Sequence, residues 1–320
     1  MIVAMRAALV ATIALGCAVV MPAGAAAAQS PLLASPYEYL GWGDPQPPGE
    51  VVRVGGVESV TLAFILADHG CHPAWDGQRP LAGGRDEAAI DEIRAAGGEV
   101  VVSFGGWSGA KLGARCKSVN ELAAAYEAVV TAYSLKAIDI DIEAHEISSA
   151  AVRARVAQAL ALVQRRHPEL QISITFAANE AGPEAAQRLL IADAAAAGLH
   201  PYAWTVMPFD FGAPRTTMFA ATRSAVEGLV ADLVADYGLS EAEAWSSSGV
   251  STMNGRTDQA SETVTVPEFA AMLAFAAEHH LARMSFWSVN RDRACSEDRE
   301  CSHITQTPLE FTQLLAGFGA

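Results

Sequence analysis

Basic side chains are scarce in this sequence. Its 320 residues include 21 Lys and Arg against 36 Asp and Glu, a formal net charge of −15. A surface this acidic repels phosphate backbones and anionic lipid headgroups. Neither nucleic acid nor a membrane is therefore expected as partner, and a neutral or cationic one is. Cysteine is sparse as well, at five residues, and the absence of any CxxC pair argues against a four-thiolate metal site. The eight histidines show neither HxH nor HExxH spacing, and His279-His280 reads as a solvated helix end. No metal and no cofactor are expected.

Apolar runs long enough to cross a bilayer are missing too. The apolar stretch Ala7 to Val20 is too short for a span, and Pro22 and Gly24 interrupt the chain soon after it. With Arg6 before it and Ala26-Ala27-Ala28 behind, residues 1–28 read as a secretory signal peptide cleaved near Ala28. Cys17 follows Ala14-Leu15-Gly16, a poor lipid-attachment sequence, so release outside the cell is expected rather than anchoring. Residues 29–320 then keep Cys71, Cys116, Cys295 and Cys301. In an oxidising compartment an even count suggests two disulfides. Of three connectivities, Cys71–Cys116 with Cys295–Cys301 is favoured.

Linkers and breaks in composition are also lacking, and 51% hydrophobic residues with 26 Gly and 15 Pro make ordinary globular material. Strands are expected at Tyr37–Trp42, Ser59–Leu66, Glu99–Phe104, Leu135–Glu143, Leu170–Phe176, Tyr202–Phe209, Trp245–Ser251 and Arg283–Val289. Helices fall between them. One over Asp86–Ala96 stops at Gly97-Gly98, and one to Tyr133 opens on the capping box Ser118–Glu121. The next, capped by Ser148 or Ser149, runs to Arg166, and two more cover Pro183–Ala197 and Thr217–Tyr237. Thr265–Glu268 caps a helix to His280, and Pro308–Phe318 is the last. Gly43–Gly56 reads as non-helical and Cys71–Gly77 as a loop. Short buried strands in strict alternation with helices predict an α/β fold, a (β/α)₈ TIM barrel in a single domain, expected as a monomer. Its function belongs at the C-terminal ends of the strands.

One strand is chemically unusual. Ile138-Asp139-Ile140-Asp141-Ile142-Glu143 alternates apolar and acidic residues, so a period of two puts Asp139, Asp141 and Glu143 on one side. Three carboxylates that close cannot all be charged at neutral pH, so at least one pKa is pushed up, as acid/base chemistry requires. The rival readings are a solvated acidic face and a divalent-metal site.

The neighbouring motifs decide between them. Ser103-Phe104-Gly105-Gly106 on strand three, Asp139-x-Asp141-x-Glu143 on strand four, Met207-x-Phe209-Asp210 on strand six and Trp287 on strand eight resemble glycoside hydrolase family 18, the chitinases. Thr61–Cys71, Val100–Gly109 and Ser285–Cys295 look like its secreted bacterial branch. The resemblance implies retaining hydrolysis of chitin or chitooligosaccharide without an enzyme nucleophile, the substrate-assisted exception among glycosidases. Glu143 is then the general acid and base, and Asp141 orients the acetamide of the scissile sugar. Asp139, the most buried carboxylate and so the most easily kept protonated, shares a proton with Asp141. Trp287 is the expected floor of the site and Met207 its side, with Asp210 near the leaving group or acetamide. Ser103 is taken as a substrate-binding residue, the alternative being that it and the glycines serve to let the chain turn tightly beside Asp139. Tyr39 either faces the inner carboxylates or packs. Among Trp42, Trp75, Trp107, Trp204 and Trp245, only Trp107, which follows the strand-three motif, is taken as a sugar contact.

Departures accompany the likeness. Phe209 and Phe211 stand where the family carries a tyrosine whose hydroxyl helps hold the acetamide, Lys136-Ala137 replaces an Asp-Gly, and Ala144 replaces a glycine. The alternatives on the same barrel are an endo-β-N-acetylglucosaminidase acting on N-glycans and a weakly active or non-catalytic chitooligosaccharide-binding protein.

Overall fold

The computed structural model describes residues 30–212, 216–295 and 300–319. The expected leader, Cys17 and the cleavage point at Ala28 lie outside the described residues. Eight strands form the barrel: β1 Tyr37–Tyr39, β2 Ser59–Asp68, β3 Glu99–Gly105, β4 Ala137–Asp141, β5 Gln171–Ala177, β6 Ala203–Met207, β7 Ser248–Met253 and β8 Arg283–Trp287. All pair in parallel with their neighbours, and β1 closes the ring by pairing with both β2 and β8.

The helices are α1 Pro48–Arg53, α2 Arg85–Ala95, α3 Leu112–Arg115, α4 Val119–Tyr133, α5 Ala144–Ser148, α6 Ala150–Arg166, α7 Ala185–Ala197, α8 Met218–Tyr237, α9 Glu241–Ser246, α10 Val266–Glu278 and α11 Glu310–Ala316. Residues i and i+2 of a strand share a face, so Ile138 and Ile140 of β4 point outward. With Ile142 they join a buried apolar layer that includes Val129 of α4 and Val156 and Leu160 of α6. Full burial of one such side chain contributes on the order of 2 kcal/mol. The opposite face of β4 carries Asp139 and Asp141 into the barrel. Asp139 pairs in register with Ser103 and Ser173, and Asp141 with Gly105 and Thr175, so the two carboxylates occupy successive layers of the interior.

Local chemistry accounts for where the elements differ from expectation. Gly43–Gly56 holds α1, whose Pro48 occupies an early helical position where a fixed φ is an advantage. A strand expected from Trp245 is instead the end of α9, opened by a capping box between Ser240 and Glu243, and β7 begins only at Ser248. The Thr265–Glu268 box is fully formed. The Ser118 box is half formed, because the Glu121 carboxylate accepts from Lys117 N rather than from Ser118 N. The expected loop after β2 contains an antiparallel strand, His72–Trp75, folded back on β2.

Both favoured disulfides are present, Cys71–Cys116 and Cys295–Cys301. The first ties the turn of that hairpin to the end of α3. Among the described residues no helix is long and apolar enough to cross a membrane. Cys71 and Cys116 close a loop across 45 positions. Replacing both by Ala is expected to lower unfolding free energy by about 3–4 kcal/mol in urea titrations, the loss of chain-entropy restraint for a loop of that length.

Candidate active site

The deepest carboxylate, Asp139, is fully enclosed and receives a hydrogen bond at every lone-pair direction it offers. Tyr37 Oη and Ser103 Oγ each donate to Oδ2 at 2.6 Å. Thr175 Oγ1 donates to Oδ1 at 2.6 Å and Arg283 Nη1 to the same oxygen at 2.5 Å. Burial alone would raise its pKa, but the Arg283 guanidinium and the three hydroxyl donors outweigh it and hold the group below the usual carboxylate range. Asp139 is therefore the ionised member, which corrects the expectation that the most buried carboxylate keeps a proton. Burial penalises a charge only where no donors replace water.

Arg283 itself crosses the barrel interior fully buried, with Nη1 also 2.8 Å from Ser173 Oγ. It needs Gly249 beside it: a β-carbon there would stand 2.9 Å from both Arg283 Cβ and Thr205 Oγ1. No motif identifies Arg283 or Tyr37. The only sequence signal is a lone arginine at the head of an apolar strand.

One layer up, Asp141 is 4% exposed and its Oδ1 has no hydrogen-bond partner among the described residues. Burial, then Glu143, then Asp139 raise its pKa well above the ordinary value. Glu143 lies past the end of β4 in extended conformation, as N-cap of α5. Its pKa is pushed up to about 7, by burial first and also by Asp210, against the lowering effect of Lys111. Asp141 and Glu143 are close enough to titrate together. The next residue, Ala144, has φ 49°, a left-handed conformation that favours glycine, so the glycine it replaces has a steric reason.

Above the carboxylates opens a cavity of about 790 Å³ lined by Tyr37, Tyr39, Trp42, Phe64, Asp141, Glu143, Met207, Asp210 and Trp287, among others. Phe64 and Trp287 stack at 5.5 Å and 15° to form an aromatic floor. Trp107 reaches the rim 73% exposed, and Trp42 lines the cavity as well, 47% exposed. Trp75, Trp204 and Trp245 pack elsewhere. Trp75 donates to Tyr133 Oη at 2.9 Å, Trp204 is buried against Phe176, and Trp245 stacks on His279. Tyr39 turns away from the inner carboxylates to Asp76, and it is Tyr37 that reaches Asp139. Ser103 lies beneath the cavity and bonds Asp139 rather than lining the surface a ligand would touch. Asp210, at φ 58°, is held by its own N–H to Glu262 Oε2 at 2.7 Å and interacts with Thr257. Phe209 and Phe211 line the cavity without a hydroxyl.

Among the described residues, the one cluster spaced like a metal site is Cys295, Cys301 and His303, and its two sulfurs are joined in the disulfide. Shape, an aromatic floor and stacked carboxylates of opposite protonation suit acid/base work on an uncharged, ring-shaped ligand. Arg283→Met should leave Asp139 charged and unpaired. Loss of about 3–5 kcal/mol in denaturant titrations at neutral pH is expected, and a loss under 1 kcal/mol would show that the pair does not carry the interior.

No protein-family model matches the sequence. The chain is 26% identical over 258 residues to a probable bifunctional chitinase/lysozyme of Escherichia coli K12, covering 74% of this chain and 28% of that protein. It is 27% identical over 259 residues to Endochitinase 11 of Metarhizium anisopliae, covering 74% of this chain and 48% of that one. It thus matches less than half the length of either relative. The catalytic domain of the hyperthermophilic chitinase of Pyrococcus furiosus superposes with a TM-score of 0.81 at 26% identity, covering 92% of this chain and 98% of that one. Catalytic-site mutants of the same Pyrococcus enzyme have been crystallised with chito-oligosaccharides. In fold and sequence the barrel is thus similar, over nearly all of its described length, to chitinase catalytic domains.

Proposed function

We propose that this protein is a secreted endo-chitinase that cleaves β-1,4 links between N-acetylglucosamine units with retention of configuration, by substrate-assisted catalysis. The observation that carries this reading is the vertical order of charge. An ionised Asp139 with four donors lies beneath an Asp141 whose Oδ1 is unpartnered, and Glu143 stands at the cavity mouth with a pKa of about 7.

In this scheme the scissile sugar rests on Trp287 and Phe64, and its acetamide N–H donates to Asp141 Oδ1. Glu143 gives its proton to the glycosidic oxygen, and the bond from that oxygen to the anomeric carbon breaks as the acetamide carbonyl oxygen attacks the same carbon. The leaving sugar departs with a hydroxyl and an oxazolinium ion remains. Asp141, which carries the proton that Asp139 does not, donates its O–H to the newly negative Glu143 and keeps its other oxygen on the acetamide. Water then attacks the anomeric carbon, gives its proton to Glu143, and the five-membered ring opens. No metal or other cofactor enters these steps.

The two disulfides support work in an oxidising compartment, after removal of residues 1–28 as a signal peptide. The charge of −15 supports a neutral saccharide rather than nucleic acid or membrane as partner.

Turnover of soluble chito-oligosaccharides by the mature chain, beside Glu143→Gln, tests the proposal. The variant is expected to lose about 10²–10⁴-fold in kcat while still binding the sugar. If the wild type binds but does not cleave, the binding-protein alternative, which the phenol-free Phe209 and Phe211 favour, replaces this one. Faster cleavage of an N-glycan core than of chito-oligosaccharides would select the N-glycan alternative. The acid must be protonated to act, so kcat/KM is expected to fall as pH rises through about 7, where Glu143 loses its proton. A profile flat to pH 9 would remove Glu143 from that role.

A further inference from the structure

Behind the cavity wall lies a charge arrangement that the reaction scheme does not use. Lys111 is only 7% exposed, and its Nζ donates to the carbonyl of Gly105 at 3.1 Å and to those of Gly106 and Ser108. These three carbonyls belong to the turn that leaves β3 and presents Trp107 and Ser108 to the cavity. The same turn rests on β4: Gly106 N donates to Asp141 O at 2.8 Å, and a β-carbon on Gly105 would stand 2.0 Å from that oxygen. A single ammonium thus gathers the segment against which the Asp141 backbone is fixed.

Glu146 meets this segment from the other side. It belongs to α5, the helix that Glu143 caps, and it is 3% exposed. Its Oε1 accepts from Gly113 N at 3.1 Å, two residues beyond Lys111. A β-carbon on Gly113 would lie 2.2 Å from Oε1, and one on Gly105 would lie 3.7 Å from Oε2. One carboxylate therefore ties the helix that begins at Glu143 to the loop that carries Lys111.

Enclosing both an ammonium and a carboxylate costs several kcal/mol of hydration per ion, and an apolar pair of similar volume would pack as well. Their charges act on the outer carboxylates instead. Burial lowers the Lys111 pKa while Glu146, Asp141 and Glu143 raise it; Lys111 in turn lowers each of those three, and burial still pushes Glu146 up to about 7, so its negative charge is complete only above that pH, on the alkaline side of the profile. The other groups around Glu143 are Asp210 from the loop after β6, which opposes Lys111, and Asp139, Tyr37 and Arg283 in the layer beneath Asp141, with His145 exposed on α5.

We propose that Lys111 and Glu146 are positioning residues for the acid: Lys111 locks the β3 turn against Asp141 and sets a positive charge beside Glu143, and Glu146 anchors α5 and balances that charge. This rests on the hydrolase reading above, and the test separates the two.

The pH profile of kcat/KM on a chito-oligosaccharide is compared for wild type, Lys111→Gln and Glu146→Gln. Glu146→Gln keeps an acceptor for Gly113 N and removes the charge, Lys111→Gln removes the charge and at least one of the three bonds to carbonyls, and folding is checked by circular dichroism. Removing the positive charge is expected to move the alkaline limb up by about 0.5–1 pH unit. Removing the negative charge leaves Lys111 unopposed and is expected to move the limb down by a smaller amount. Opposite shifts are something a purely structural role would not produce. Folded variants whose limbs stay in place, or move in the same direction, overturn the proposal. Should Lys111→Gln not fold, Glu146→Gln decides alone by the sign of its shift. A wild type that cleaves nothing counts against the hydrolase reading instead, and the same opposed shifts are then sought in the Glu143 carboxyl resonance by NMR titration.

Discussion

The ion pair between Arg283 and Asp139 governs the interior of this barrel. A parallel barrel is ordinarily filled by branched apolar side chains, yet here the lower layers hold Thr61, Ser103, Asp139, Ser173, Thr175, Thr205 and Arg283, all at 0% exposure. An unpaired charge in such a place is costly, and removing either partner strands the other. The serine and threonine hydroxyls are the consequence. They bond the pair from β2, β3 and β5, Thr205 of β6 bonds Ser173 in turn, and Gly249 leaves the space that the guanidinium needs.

From that pair the state of the whole carboxylate column follows. Burial first, then Glu143 and the negative charge on Asp139, push Asp141 well above the ordinary carboxylate range, and burial with Asp210 pushes Glu143 up to about 7. Opposed environments along one strand give neighbouring acids different duties, the arrangement by which enzymes run acid and base steps near neutral pH. The aromatic floor belongs to the same construction. Tyr37 bonds Asp139 through its hydroxyl while its ring lies 5.9 Å from Trp287, so the residue that helps fix the charge also supports the surface above it.

Much of this was legible one residue at a time. The two-residue period of the β4 segment put Asp139 and Asp141 inward and the isoleucines outward, because a pleated strand allows nothing else. Capping signals located α10 and, in part, α4. Other features were hidden in the same sequence for physical reasons. Proline and glycine around residue 48 read as a loop, although Pro48 is well placed at a helix start. Ser240 and Glu243 are spaced as a capping box, and the short helix they open holds Trp245 ahead of the strand. Tyr37 and Tyr39 both face inward, and which one reaches Asp139 depends on how β1 is registered between β2 and β8.

Sequence alone determined the repeating strand and helix pattern, the inward face of β4, an even count of four cysteines past the expected leader and the acidic balance of charge. These follow from local periodicity, composition and parity. Tertiary structure alone decided that Asp139 is held below the usual carboxylate range and Asp141 pushed well above it, that Tyr37 rather than Tyr39 binds the inner carboxylate, and that Lys111 and Glu146 stand behind the acid. Protonation and positioning depend on donors brought from distant strands, and Arg283 lies 144 residues from Asp139 along the chain. No local pattern encodes that meeting; closure of the barrel creates it.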